Sequence, residues 1–439
     1  MKIGIIGGTR GLGKTLATIL SKEGFDVTIT GRDVANGNKV SEELEVNYSN
    51  DNKKVASTSD VVIISVPIST TKNVIKEIAK SVKKGSLVLD VTSVKVEPSN
   101  LMKKLLNKDV EFIPTHPVFG PRTTNLDGQV VVLTPISNEQ KKGIWYPKVL
   151  KFLNDKKVRI IEASPEEHDD MMAVVQVLTH FSYISTASAI KKLGINIKET
   201  RKFASPIYNL MVDMISRIVS QNPFLTYSIQ LENQNGEKVR QTFADSVIEL
   251  KEVLTKQDKE NFVKIAIEAT KNLDDIQSAL GRSDKAIDSQ NHEITVLKNS
   301  IGKEIALQHI YSEEVHIGIL KEVNPDFISL NTGKKQKKLK IANIKILDYD
   351  DLLNWKMKNQ TTKKHSVSCI FPKNSNPDII IETIKKSVDD IINIKVADIY
   401  TGHQISKGNI SITLEIVTFN KSTFESVKNI LEGFGGIIR

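Results

Sequence analysis

Through roughly the first 160 residues, short apolar runs alternate with amphipathic stretches. The runs at 2–6, 26–30, 61–66, 87–91, 111–115 and 130–133 are short and rich in apolar and β-branched residues. A strand with one face in water alternates apolar and polar positions, whereas one covered on both faces does not. These runs therefore predict a parallel sheet buried between two helical layers. Strands alternating with helices give a doubly wound, Rossmann-like α/β domain, assigned to residues 1–163.

The period changes at Pro165. Ser164 is placed to cap a helix, proline suits the first turn, and Glu166 and Glu167 favour the positive end of the helix dipole. Met171, Val174, Val175, Leu178 and Phe181 then recur at helical spacing. Helical patterning continues through 203–218 and 242–279, so residues 164–292 are assigned to an α-helical domain. Beyond His292, short strands at 315–319, 327–330, 338–341 and 344–347 predict a small β-rich module over 293–360, with the lysine-rich stretch 332–340 as a solvated hairpin. After a linker at 360–364, the order strand, helix, strand, strand, helix, strand over 365–439 is that of a ferredoxin-like fold. Ligand-sensing and RNA-binding modules share that topology.

A chain of 439 residues, 39% hydrophobic and 26% charged, is long enough for several globular domains. No uninterrupted apolar run reaches the roughly 18 residues a membrane helix needs. The opening MKIGIIGG runs straight into a strand, so neither a signal nor a transit peptide is expected, and a cytoplasmic protein is. Cys369 is the one cysteine, which excludes an internal disulfide framework and a cysteine-rich metal site, and no metal is expected. The charge of +9, from 61 Lys+Arg against 52 Asp+Glu, attracts small polyanions as well as nucleic acid. No aromatic residues interleave with the lysines, so a nucleic-acid partner is not expected.

The first strand leads through Gly7-Gly8-Thr9-Arg10-Gly11-Leu12-Gly13 into a helical stretch. Glycines at such a junction let backbone N–H groups approach a pyrophosphate at the helix N-terminus. Arg10 stands where the middle glycine of G-x-G-x-x-G belongs, and Gly7-x-x-x-Gly11-x-Gly13 fits the residues better. The bland alternative is a tight turn without a ligand. NAD sites usually carry an acid at the end of the second strand, but here Thr30-Gly31-Arg32 precedes the first acid, Asp33. Arg10 and Arg32 would suit a 2′-phosphate unless both are merely solvated, so the cofactor is read as NAD or NADP, with NADP favoured.

Val91-Thr92-Ser93-Val94-Lys95 follows the fourth predicted strand, and Pro114-Thr115-His116-Pro117-Val118-Phe119-Gly120-Pro121 follows the fifth. Both lie at carboxyl ends of strands, where ligands bind in doubly wound sheets. His116, stiffened by the following proline, is suited to take a proton at neutral pH, though alone it reads equally as structural. In the next element come His168-Asp169, Gln176 and His180. Gln176 and His180, four apart, share a helical face and are either a mutually satisfied pair or contacts for a polar ligand.

The stretch His116-Pro117-Val118-Phe119-Gly120-Pro121, then Gln129-Val130-Val131-Val132, then His168…Gln176…His180-Phe181 resembles the prephenate dehydrogenases. So do Ser205-Pro206-Ile207-Tyr208, Ser216-Arg217-Ile218 and Asn222-Pro223, and with the glycine loop the likeness runs in order from residue 1 to about 280. The resemblance implies oxidative decarboxylation of prephenate, or of arogenate, with hydride transfer to NAD(P), in tyrosine biosynthesis. It implies His116 as the base toward the ring hydroxyl and Ser93 as a partner of that hydroxyl or of the imidazole. Arg217 would clamp a substrate carboxylate, unless it pairs with Asp213 instead, and His180 and Gln176 would line the substrate pocket. Arg122 stands where many relatives place an acid, a departure that would favour dianionic prephenate. The resemblance further implies a homodimer. Residues 365–439 are compatible with the ACT domain many relatives carry, which would make tyrosine an allosteric ligand. The rivals are another dehydrogenase of Rossmann-plus-helical build, such as a β-hydroxyacid or imine reductase, and a non-enzymatic nucleotide-sensing regulator. Neither accounts for the His-Pro-Val-Phe-Gly-Pro stretch.

Overall fold

Eight strands alternate with helices in the first part of the chain: β1 Lys2–Ile6, β2 Asp26–Thr30, β3 Asn47–Ser49, β4 Val61–Ile64, β5 Leu87–Asp90, β6 Glu111–Pro117, β7 Val130–Leu133 and β8 Arg159–Glu162. The computed structural model describes residues 1–439 apart from Thr124, Asp274, Lys334, Asp389 and the side chain of Tyr349. The strands form one sheet in the order β3-β2-β1-β4-β5-β6-β7-β8. Neighbours from β3 to β6 are parallel, β7 runs antiparallel to β6, and β8 is parallel to β7. The sheet is thus mixed rather than all parallel. All four residues of β4 are buried, as are the last four of β1, which is why their sequences are uniformly apolar. Strand order reverses between β1 and β4, opening a crevice at the carboxyl ends of the strands.

Two of these strands are absent from the sequence reading. β3 is three polar-flanked residues and β8 is mostly exposed; both are edges with one neighbour, so neither needs a two-sided apolar run. His116 lies within β6 rather than after it, paired with Val132.

Helix α1, Gly11–Lys22, follows β1. A continuous helix, α2, spans Pro165–Lys192. Ser164 caps it by accepting from Glu167 N–H at 3.0 Å, and Ala173–Leu178 within it form a π-turn with i→i+5 bonding. The apolar stripe read from the sequence is not its buried face. Met171, Val174 and Val175 are more than half exposed, whereas His168, Met172, Ala173, Val177 and His180 are buried. α2 is also long and apolar enough to cross a membrane by length and composition; polar side chains along it hid that length from a search for unbroken apolar runs. Here its polar side chains serve the site described below. α3, Pro206–Val219, and α4, Pro223–Glu232, begin with Ser205 and Asn222 caps.

The chain divides into two units, Met1–Asp275 and Ile276–Arg439. The division falls before the helix Ile276–Asn299, not at 292/293, because that helix continues through His292 and delivers fully buried Leu297 to the next core. In the second unit, β9 Glu304–His309, β10 Val315–Val323, β11 Phe327–Asn331, β12 Gln336–Lys340 and β13 Ile344–Ile346 form an antiparallel sheet ordered β12-β11-β10-β9-β13. The lysine-rich stretch is the β11–β12 hairpin, closed by Thr332 N–H donating to Lys335 O at 3.1 Å; Lys334 lies outside the described residues. Helix Tyr349–Asn359 precedes the ferredoxin-like fold of β14 Lys363–Pro372, β15 Ile391–Tyr400, β16 Asn409–Thr418 and β17 Ile437–Ile438, ordered β15-β16-β14-β17 with two helices. The expected linker at 360–364 is only partly free of structure, since β14 begins at Lys363.

Candidate active site

The chain leaves β1 through the glycine loop and enters α1 beside a cavity of about 1180 Å³. Gly7 has φ +88°, and a Cβ there would lie 2.2 Å from the Ser65 carbonyl oxygen. A Cβ on Gly13 would lie 2.3 Å from the Gly7 oxygen. Only glycine lets the helix start sit against the strand end. Arg10, at the N-cap, makes no side-chain cap, so the first N–H groups of α1 keep their donors for an anion. Gly7, Thr9, Arg10, Gly11 and Leu12 line the cavity, while Gly8 and Gly13 pack behind it. This cradle fits a dinucleotide pyrophosphate.

At the end of β2, Gly31 stands where an acid would meet a ribose, and Arg32 reaches the cavity with no ion pair among the described residues. Arg10 is engaged, its guanidinium 2.8 Å from Asp33. Asp33 also caps the helix Val34–Leu44, accepting from Asn36 N–H at 3.0 Å. Of the two arginines read as phosphate ligands, Arg10 is paired and Arg32 has no ion pair among the described residues.

Opposite the loop, β6 brings His116 to the cavity wall, 3% exposed. Its Nε2 faces the amide nitrogen of Gln176 at 3.4 Å, and its Nδ1 lies 2.8 Å from His168 Nε2. His168 Nδ1 is in turn 2.8 Å from Asp169 Oδ1. That carboxylate accepts backbone N–H groups of Lys95 at 2.8 Å and Val96 at 3.1 Å. Lys95 is wholly buried, pairing with Asp90 and donating to the Thr115 carbonyl at 2.6 Å. Strands β5 and β6 and helix α2 are thereby tied together immediately behind the imidazole.

Burial holds the His116 pKa well below the usual imidazole value, and the neighbouring His168 and Lys95 push the same way. Burial lowers His168 too, against the bond to Asp169, and lowers His180. Lys95 is lowered by burial, although Asp90 favours its cation. Near neutral pH, His116 is therefore a neutral imidazole able to accept a proton.

Other residues singled out in the sequence converge on the same cavity: Ser93, Gln176, His180, Arg122 and Arg217 all line it. Gln176 Oε1 and His180 Nδ1 have no hydrogen-bond partner among the described residues. Asp213, the alternative partner for Arg217, pairs with Arg201 at 2.5 Å, so no ion pair occupies Arg217 among the described residues. Ser93 is half-buried and, among the described residues, no hydrogen bond joins it to His116.

Residues 16–162 match the family model described as prephenate dehydrogenase, nucleotide-binding domain, and residues 164–268 match prephenate dehydrogenase, dimerization domain. Over 440 residues the chain is 41% identical to a probable arogenate/prephenate dehydrogenase of Methanocaldococcus jannaschii, covering 100% of this chain and 97% of the relative. The chain belongs to the prephenate dehydrogenase family. A T-protein of Haemophilus influenzae is 29% identical over 262 residues, 60% of this chain and 64% of that protein. The prephenate dehydrogenase of Aquifex aeolicus, solved with hydroxyphenyl propionate and NAD+, overlays with a TM-score of 0.50 at 23% identity, over 63% of this chain and 98% of that one. At that identity the likeness is one of fold. As a member of the prephenate dehydrogenase family, the chain is an NAD(P)-dependent oxidoreductase of tyrosine biosynthesis.

Sequence reasoning gave no role to Asp90, Lys95, His168 or Asp169, though these hold His116 in place. One signal was available: an acid ending an all-apolar strand needs a buried partner, and Lys95 lies five residues on.

Proposed function

We propose that this member oxidises prephenate with decarboxylation to 4-hydroxyphenylpyruvate, using NADP in preference to NAD, with arogenate as the alternative substrate. The observation that carries this reading is a neutral imidazole, His116, whose Nε2 faces the same cavity as the glycine loop. When bound, the nicotinamide accepts hydride from the ring carbon bearing the substrate hydroxyl. His116 Nε2 takes the hydroxyl proton, leaving its bonding pair to form the C=O. The imidazolium returns that proton to the oxygen once CO2 has left and the ring is aromatic. Arg217 clamps a substrate carboxylate with its planar fork, and Ser93 bonds the ring hydroxyl. Gln176 Oε1 and His180 Nδ1, unpartnered at the cavity wall, offer hydrogen bonds to the remaining polar groups. Arg122 adds positive charge that suits a dianion better than arogenate, whose side chain carries an ammonium. Arg32, with no acid at the end of β2, supports NADP.

Exposed apolar side chains of the helical segment, Phe203 at 92%, Phe224 at 81% and Ile207 at 68%, support a homodimer formed through that segment. Steady-state rates with prephenate and arogenate, each against NAD and NADP, test substrate and cofactor together. His116→Asn is expected to lower kcat by about 10²–10⁴-fold while cofactor still binds. Unchanged turnover would overturn the assignment.

A further inference from the structure

A base must present a lone pair, and a neutral imidazole has one lone pair and one N–H. Which nitrogen of His116 is which depends on what lies behind it. Asp169 can only accept, and it is fixed by two backbone N–H groups. The His168 nitrogen facing it, Nδ1 at 2.8 Å, therefore carries the proton. His168 Nε2 then has the lone pair and accepts from His116 Nδ1 at 2.8 Å. That leaves the lone pair of His116 on Nε2, the nitrogen that meets the amide donor of Gln176 and the cavity.

We propose that His168 and Asp169 are positioning residues that lock His116 in its Nδ1–H tautomer, so that the basic nitrogen is the one facing substrate. This rests on the reading of His116 as the base. In water a neutral imidazole favours the opposite tautomer, which would turn an N–H toward the substrate hydroxyl and remove the base. The pair also serves after proton transfer: the His116 imidazolium keeps donating from Nδ1 to His168, and the Asp169 carboxylate stabilises the positive charge beyond it. Burial of both rings and the Lys95 ammonium nearby disfavour a doubly protonated alternative in the resting protein. His116, His168 and Asp169 are each no more than 3% exposed, so solvent does not compete for these bonds.

The tautomer can be read without turnover. In full-length protein labelled with 15N-histidine, multiple-bond 1H–15N correlation distinguishes Nδ1–H from Nε2–H rings, and His116→Asn identifies the His116 signal. The wild type should show His116 as Nδ1–H. His168→Asn can still donate to Asp169 but is too short to reach His116, and should release the ring to Nε2–H. His168→Gln, with an oxygen able to accept near the Nε2 position, should restore Nδ1–H. In step with this, kcat should fall about 10²–10³-fold in His168→Asn at a KM within about threefold of wild type, and recover to within about tenfold in His168→Gln. An Nε2–H ring in the resting wild type, or equal kcat in wild type and His168→Asn, would overturn the proposal. A protein inactive on both prephenate and arogenate removes the functional reading instead, and the spectrum still decides the tautomer.

Discussion

Around His116 the ionic groups lie inside the protein: Lys95 and Asp90 are wholly buried, and His168 and Asp169 nearly so. In the ferredoxin-like domain the interior is apolar, built from Cys369, Ile412, Leu414, Ile416, Val427 and Leu431. Its ion pairs stand at the surface: Lys364 and Lys395 flank Glu415 on the open side of the sheet, and Lys386–Glu382 and Lys428–Glu425 lie along its helices. Among the described residues, Lys356 with Asp390 is more enclosed, where the helix Tyr349–Asn359 meets the domain. Exposed pairs are screened by water and contribute little. A buried pair gives little net stability either, because desolvation offsets its attraction, yet removing one partner costs about 3–5 kcal/mol. The contrast teaches that charge placed inside this chain fixes where atoms sit. Lys95 grips the Thr115 carbonyl next to the His116 imidazole while its own N–H holds Asp169.

The sharpest way to break that comparison is Lys95→Met. It strands the Asp90 carboxylate in the interior and should cost about 3–5 kcal/mol, read from the denaturant midpoint. Adding Asp90→Leu should recover most of that stability without recovering turnover, separating buried charge from atom placement. An unchanged midpoint in the single variant would mean that the pair holds nothing.

Acid should act next. His116, His168 and His180 all have folded pKa values below the ordinary 6.5, with burial as the leading cause. The groups facing His116 are His168, Lys95 and Gln176, and Asp169 faces His168. Because the unfolded chain takes up protons first, this stability is whole above pH 6.5 and is lost as pH falls toward the folded values. Trp145 fluorescence in a Trp355→Phe background should show the melting temperature of the first unit falling between pH 7 and about pH 5. A flat profile would show that the histidines are not neutral because of the fold. The smallest effect is expected from Glu415→Gln, which should leave the melting temperature unchanged. A loss comparable to that of Lys95→Met would erase the contrast.

What was legible in the sequence follows the same division. Strands 2–6, 26–30 and 130–133 were read with the bounds they have in the structure, because 2–6 and 130–133 are apolar runs and 26–30 is rich in β-branched residues. The ferredoxin-like order was readable for the related reason that its core is apolar and regularly spaced. Edge strands β3 and β8 and the helix Tyr349–Asn359 left no such trace. His116, Ser93, Gln176, His180 and Arg217 were found from strand ends and a family likeness, and one cavity contains them all. The support behind them left only the trace of Asp90 with Lys95 five residues on; Asp169 joins them only once α2 has folded against the strand ends. On α2 the periodicity pointed to the wrong face, with Val174 and Val175 exposed and His168 buried.

The same helix carries a π-turn, Ala173–Leu178. At about 100° per residue, an unbroken α-helix would set Gln176 roughly 80° and His180 roughly 120° around the axis from His168. A wider i→i+5 turn advances only roughly 80° per residue, so over this segment both swing back to within roughly 30° of His168. The turn works as a vernier: it lets one helix touch both nitrogens of the same imidazole, His168 from one side and Gln176 from the other. Distance counted along the chain and direction around the axis part company for this single turn.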